Sequence, residues 1–255
     1  WYVAKLASKF VKVCLAGTGG DELFAGYPWR YRPGLTSPDT RSYEDELFNS
    51  WHRLLSHKEL PALFSESLQP FLDSGRESFD QVMATCTTET PNGSSSQCVL
   101  ARIRRTLEFE FRTFLNGLLI TEDHISMAHS LETRVPFLDN KLADISWRLP
   151  TTTKIDPSYL HKRNTGHINS AGGKQVLRKA MESLLPHEFV IQKKQGFSPP
   201  DANWYRGPSM DYIKSILLDG QTLSRPWFDQ NFIQACLDEH FEGLRNHRLL
   251  IWSLL

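Results

Sequence analysis

The sequence predicts an α/β fold in which one buried strand is followed by a mostly α-helical chain. Three observations carry that prediction: a β-branched run from Val11 to Ala16 that ends on a glycine cluster, helical rather than alternating periodicity from Ser42 onward, and a globular composition of 40% hydrophobic and 23% charged residues. This composition is far from the sparse-apolar range that keeps chains disordered, so the chain is expected to fold. Its 255 residues suit one large core or two smaller ones.

Trp1 to Lys9 reads as the end of an amphipathic helix rather than a targeting peptide. The strand at Val11 to Ala16 cannot satisfy its own backbone, so its hydrogen-bonding neighbours are expected from sequence outside this chain or from another chain. Leu47, Trp51, Leu54 and Leu55 mark one amphipathic helix, and Val99, Ile103, Leu107, Phe111, Phe114 and Leu115 a longer one. Pro91-Asn92-Gly93 is a loop signal, with Ser96 a candidate cap for the helix that follows. Asp123 to Glu132 reads as another helix, ended by Val135-Pro136, and Asn140 to Leu149 as a short one stopped by Pro150. Thr151 to Gly173 is polar and irregular, followed by a helix over Lys174 to Leu185. Asp211 to Leu218, Gln230 to Phe241 and a terminal segment near Arg248 complete the helices. The expected division is an α/β nucleotide-binding edge over 1–35, a helical remainder over 36–205 and a helical tail over 206–255.

Lys+Arg and Asp+Glu both number 29, and no long basic run is present, which disfavours a nucleic-acid partner. No apolar stretch approaches the roughly 20 residues of a membrane span. Cys14, Cys86, Cys98 and Cys236 form no C-x-x-C pair, so reduced thiols and a cytoplasmic location are expected. The nine histidines show no zinc-binding spacing. Tyr27, Trp29 and Tyr31, interleaved with Arg30 and Arg32, are assigned to core packing rather than to a single-strand platform.

The segment with the most chemical content directly follows the strand: Gly17-Thr18-Gly19-Gly20-Asp21-Glu22-Leu23-Phe24-Ala25-Gly26-Tyr27. Glycines at 17, 19 and 20 let backbone N–H groups approach an anion, and a helix beginning near Asp21 would add its positive end. Asp21 and Glu22 would repel a phosphate unless a hard divalent cation lay between them, which points to magnesium and a nucleotide. The same pattern is also that of a tight strand-to-helix turn whose acids cap the helix.

This segment, A-G-T-G-G-D-E-L-F-A-G-Y with Ala16, resembles the signature S-G-(E or D)-G-(S or G)-D-E-(L or V)-F-G-G-Y of the glutamine-dependent asparagine synthetase family. Two further blocks fall in the family's order: Asp123-His124-Ile125-Ser126-Met127-Ala128-His129-Ser130-Leu131-Glu132-Thr133-Arg134-Val135-Pro136-Phe137-Leu138-Asp139, and Gln192-Lys193-Lys194-Gln195-Gly196-Phe197. The resemblance covers roughly residues 1–205 and implies the C-terminal part of a PP-loop synthetase domain, of the adenine-nucleotide alpha-hydrolase type. It implies ATP and Mg2+ as cofactors, and activation of aspartate or another carboxylate as an acyl-adenylate that ammonia from glutamine then amidates. By the same resemblance Ala16 and Gly17 contact the nucleotide, Gly19, Gly20 and Glu22 belong to the same site, Asp21 binds magnesium, and Lys194 neutralises the leaving pyrophosphate. Asp123 is the candidate acid–base partner, while Glu132, Arg134, Pro136 and Asp139 are assigned a structural role.

Thr18 departs from the family's acid, and a threonine hydroxyl cannot act as a general base near neutral pH. Three outcomes stay open: Asp123 acts alone, the acceptor is another amine, or the site is degenerate. The family's S-G-G-x-D-S loop and its glutaminase cysteine do not occur in these 255 residues, so the chain by itself is expected not to turn over. A specialised natural-product amide synthetase and a non-catalytic fragment are the alternatives, and a homodimer is a further possibility.

Overall fold

The computed structural model describes residues 1–87, 95–156, 172–192, 205, 207, 209–218 and 227–255. They divide into two compact units, one of Trp1–Leu47 with Gln81–Gln195 and one of Phe48–Asp80 with Gly196–Leu255.

The first unit opens with helix α1 (Tyr2–Ala7) and strand β1 (Val13–Leu15). β1 pairs in parallel with a second strand of this chain, β2 (Glu132–Arg134), in the register Val13↔Glu132, Cys14↔Thr133, Leu15↔Arg134. The expectation that every neighbour of β1 comes from elsewhere is therefore corrected: β2 supplies one edge. β2 lies where the sequence suggests the end of a helix. Ser130 at φ 53° stops helical geometry, and Leu131 is buried at 2% exposure, which turns the chain back alongside β1. The expected burial of β1 is also corrected, since Val13 is 44% and Leu15 74% exposed. In a two-stranded sheet nothing among the described residues covers them.

The long helix expected through Leu115 is two helices, Ser95–Arg112 and Phe114–Met127. The break falls at Thr113, whose hydroxyl donates to the Phe109 carbonyl at 2.7 Å and competes with the helical ladder. The first of them starts at Ser95, which places Ser96 inside the helix instead of at its cap. It supplies Ile103 and Leu107 to a core with Ala25, Tyr31, Leu35 and Ile155. Asn140–Arg148 is helical as expected, and Asp139 caps it by accepting from the Lys141 and Leu142 amides. Arg134 and Glu132 form an exposed ion pair at 2.9 Å.

The second unit is built on Leu55, Leu63, Ile213, Leu217, Ile233, Leu237, Leu250 and Ile251. Its helices Met210–Leu217, Gln230–Glu242 and Arg248–Leu254 match the expected positions to within a residue or two. A short antiparallel contact joins Phe64 to Phe228, flanked by the Ser65 amide on the Trp227 carbonyl and the Asp229 amide on the Leu63 carbonyl. Among the described residues no helix is long and apolar enough to cross a membrane.

Candidate functional site

The glycine segment turns the chain from β1 into a helix of five residues, α2 (Gly20–Phe24), too short to carry much macrodipole. An anion bound here would therefore depend on the loop's own N–H groups. Gly19 takes φ 91°, and a Cβ there would lie 2.4 Å from Leu138, so only glycine fits. Gly20 packs against the Phe137 ring. The Pro136–Leu138 turn of the second sequence block thus forms the floor under the first, and the Ser146 hydroxyl fastens the arrangement by donating to the Leu23 carbonyl at 2.7 Å. Gly17, in contrast, is exposed with open space around it. Ala16 is half-buried, and its amide donates to the Arg134 carbonyl at 2.8 Å, which fixes where the loop leaves the strand.

The two acids of the loop part company. Asp21 keeps 14% side-chain exposure and forms an ion pair with the Lys174 ammonium at 2.9 Å. Close approach sets that geometry: a Cβ on Gly26 would lie 1.7 Å from Asp21 Oδ1 and 2.7 Å from Lys174 Cε. Glu22 turns inward to 1% exposure and accepts the Tyr27 hydroxyl at 2.7 Å. In this arrangement Glu22 braces the loop and presents no oxygen to solvent. Burial first, and Glu22 second, hold the Tyr27 phenol far above its ordinary range, so Tyr27 stays a donor.

Below Glu22 the Arg30 guanidinium lies 4.2 Å from the Tyr27 ring and 4.0 Å from the Phe114 ring, and meets Glu110 at 3.4 Å. Glu110 is wholly buried, and its Oε2 has no hydrogen-bond partner among the described residues. Burial pushes its carboxyl up to about 8 against the opposing pull of Arg30. Tyr31, fully buried, lies in the core as expected of the aromatic cluster, whereas Trp29 is 44% exposed.

Thr18 donates its hydroxyl hydrogen to Glu122 Oε2 at 2.5 Å. The residue that reaches the loop from the helix Phe114–Met127 is Glu122, not its neighbour Asp123. Adjacent helical residues project about 100° apart, so only one of the two can face the loop. Asp123 is exposed in the last two turns of that helix, which corrects the expected helix start at Asp123. Its carboxylate makes no hydrogen bond or ion pair with the loop among the described residues. Lys194 lies outside the described residues.

Lys174 and Glu122 are the functional candidates that sequence reasoning missed. Lys174 takes an αL conformation at φ 60°, and its amide donates to the Phe24 carbonyl at 3.0 Å. Four residues on, in the helix Gln175–Met181, the Arg178 guanidinium donates to the carbonyls of Gly173, Val190 and Gln192. One side chain thereby ties the Lys174 turn to the start of the third sequence block. The Gly172-Gly173-Lys174 turn was a signal in the sequence, but nothing in it pointed to Asp21, more than 150 residues away.

The family model for asparagine synthase matches residues 1–255. Among curated proteins, asparagine synthetase [glutamine-hydrolyzing] 1 of Bacillus subtilis is 26% identical, covering 100% of this chain and 41% of its own length. A putative asparagine synthetase [glutamine-hydrolyzing] of Mycobacterium tuberculosis is 29% identical, again over 100% of this chain and 40% of its own length. Amidase chry2 of Gibberella zeae is 22% identical over 94% of this chain and 40% of its own length. The chain therefore spans about two fifths of the length of the curated relatives it matches. With a family match from the first residue to the last, and with its first two motif blocks packed on one another, the chain belongs to the asparagine synthase family.

Proposed function

We propose that this chain is the nucleotide-facing part of an ATP-dependent amide-forming ligase that activates aspartate as an acyl-adenylate and amidates it with ammonia from glutamine. The observation that carries this reading is the loop at Gly17–Asp21 in a chain of this family: exposed backbone at Gly17, then a carboxylate already holding a cation. The glutaminase function and the first ATP loop are assigned to the length of the relatives that this chain does not cover.

Within the loop, Ala16 and Gly17 would border the nucleotide, and Gly19 and Gly20 shape the backbone that faces its phosphates. Asp21 would hold magnesium. A single carboxylate suits that ion, which keeps waters and substrate phosphates as its other ligands, and the Lys174 ammonium on Asp21 is evidence that the position stabilises positive charge. Magnesium bound there would neutralise charge on the nucleotide phosphates. Glu22, through Tyr27, keeps Asp21 and the loop in place. Lys194 would stabilise the departing pyrophosphate. Asp123 remains the acid–base candidate to which the resemblance points.

A second reading, a specialised amide synthetase with another acyl substrate or amine, is favoured by Thr18 in place of the family's acid and by relatives named as amidases. ATP–pyrophosphate exchange with aspartate and magnesium, on the full-length protein that contains this chain, tests the first reading. Exchange is expected in the wild type and is expected to fall at least about 100-fold in Asp21→Ala, as when a group that stabilises transition-state charge is removed. Exchange with a different carboxylate only would favour the second reading.

A further inference from the structure

The second unit holds a cleft of about 420 Å³ between the loop that follows the helix Thr40–Trp51 and the turn that precedes the helix Arg248–Leu254. Six of the residues that line it are basic, His52, Arg53, His57, Lys58, Arg245 and His247, and none is acidic. Two of the six are engaged. Glu59 takes both arms of the Arg245 guanidinium, and His247 Nε2 lies 2.6 Å from Glu239. Glu59 is itself committed, since it also accepts the Ser56 amide at 2.9 Å and the Ser56 hydroxyl. Arg53 and Lys58 are exposed and have no acid partner among the described residues. The other two imidazoles pack on the Phe48 ring, at 4.3 Å for His52 and 5.4 Å for His57, with their own centroids 5.5 Å apart. His52 Nδ1 must donate to the Phe48 carbonyl at 3.0 Å, because a carbonyl only accepts, and this leaves Nε2 for another group. His57 Nδ1 is buried with no hydrogen-bond partner among the described residues, and a buried polar atom of that kind calls for one.

We propose that this cleft binds the phosphate group of a small anion, held by the Arg53 guanidinium and the Lys58 ammonium, with His52 and His57 completing its hydrogen bonds. Charge selects the class of ligand. Two cations without an acid partner repel a metal ion. A monocarboxylate would neutralise only one of them, whereas a phosphate monoester carries about 1.5 to 2 negative charges near neutral pH and matches both. The planar guanidinium also fits two phosphate oxygens at once, and an ammonium serves as a point charge for the rest. Asn246 adds a further donor, since its side-chain oxygen accepts the Arg248 amide and its NH2 group is left over. The volume exceeds that of a bare phosphate, and Leu54 and Leu55 in the lining suit an organic portion beyond it. All of these residues belong to the second unit, so binding here is independent of whether the glycine loop activates a carboxylate.

Calorimetric titration of the full-length protein that contains this chain, with glycerol phosphate, inorganic phosphate and acetate as probes, tests the assignment. A phosphate probe is expected to bind the wild type, and Arg53→Gln and Lys58→Gln are each expected to weaken it about tenfold or more, as when a hydrogen bond to a charged group is lost. Both side chains are exposed and lie outside the aliphatic core, so the variants should keep the wild-type urea midpoint, which separates a lost contact from a lost fold. Tighter binding of glycerol phosphate than of inorganic phosphate supports the site with an ester as its occupant, and equal binding supports it with free phosphate. Phosphate binding that neither variant weakens would place the anion elsewhere and overturn the proposal. Failure of both phosphates to bind, or acetate binding as tightly as they do, would overturn it as well.

Discussion

Around the glycine loop the apolar interior also takes in groups that resist burial: Glu22 and Glu110 are 1% exposed or less, Tyr31 is fully enclosed, and Arg30 is held between two aromatic rings. In the second unit the interior is almost entirely aliphatic, and its buried polar pair, His240 and His247, is held locally: the His247 amide donates to His240 Nδ1, and His247 Nε2 lies 2.6 Å from Glu239. An aliphatic core is accounted for by the transfer of apolar surface from water. Burying two carboxylates costs free energy that such transfer does not explain, and here it fixes the direction of one loop. The polar interior marks where geometry has been favoured over stability, and the aliphatic one marks the scaffold.

This contrast can be broken by experiment. The largest effect is expected in the aliphatic unit, where Leu237→Ala should destabilise by about 2–5 kcal/mol in urea unfolding. A change below about 1 kcal/mol would mean that the second unit is not the tightly packed scaffold described. In the polar unit the expected signature is pH dependence. Because burial raises the Glu110 carboxyl from 4.5 to about 8, the folded chain keeps a proton in that window that the unfolded chain has lost. Stability from this group is therefore complete below pH 4.5, falls as pH rises towards 8 and then levels. Denaturation midpoints of wild type and Glu110→Gln should diverge across that range, and parallel curves would place the buried carboxyl elsewhere on the scale. The smallest effect belongs to a group in neither core. Asp139→Ala should cost about 1 kcal/mol in urea unfolding through loss of the cap on Asn140–Arg148.

Much of the helical architecture was legible because three or four apolar residues per two turns leave an unmistakable period, as in Gln230–Glu242 and Asn140–Arg148. β2 was not, since three residues of E-T-R have no alternation to detect and become a strand only because β1 is there to receive them. The split at Thr113 was hidden by apolar residues continuing on both sides of it. At the site, the glycine loop and Asp21 were recognisable from local sequence. The inward turn of Glu22, the choice of Glu122 over Asp123 and the arrival of Lys174 depend on side-chain direction and on contacts between distant segments, which spacing along the chain does not encode.

The pairing of β1 with β2 brings together residues such as Cys14 and Thr133, 119 positions apart. During synthesis the glycine loop is made before β2, and its exit from β1 is fixed only when Arg134 offers its carbonyl to Ala16. Closing so long a loop is an entropic cost that must be met before the contact is gained, so the site belongs to the late, slow part of folding. Until then β1 lacks the partner strand that it has in the folded chain, so yield of folded protein should depend more on how quickly this one pairing forms than on how stable the finished structure is.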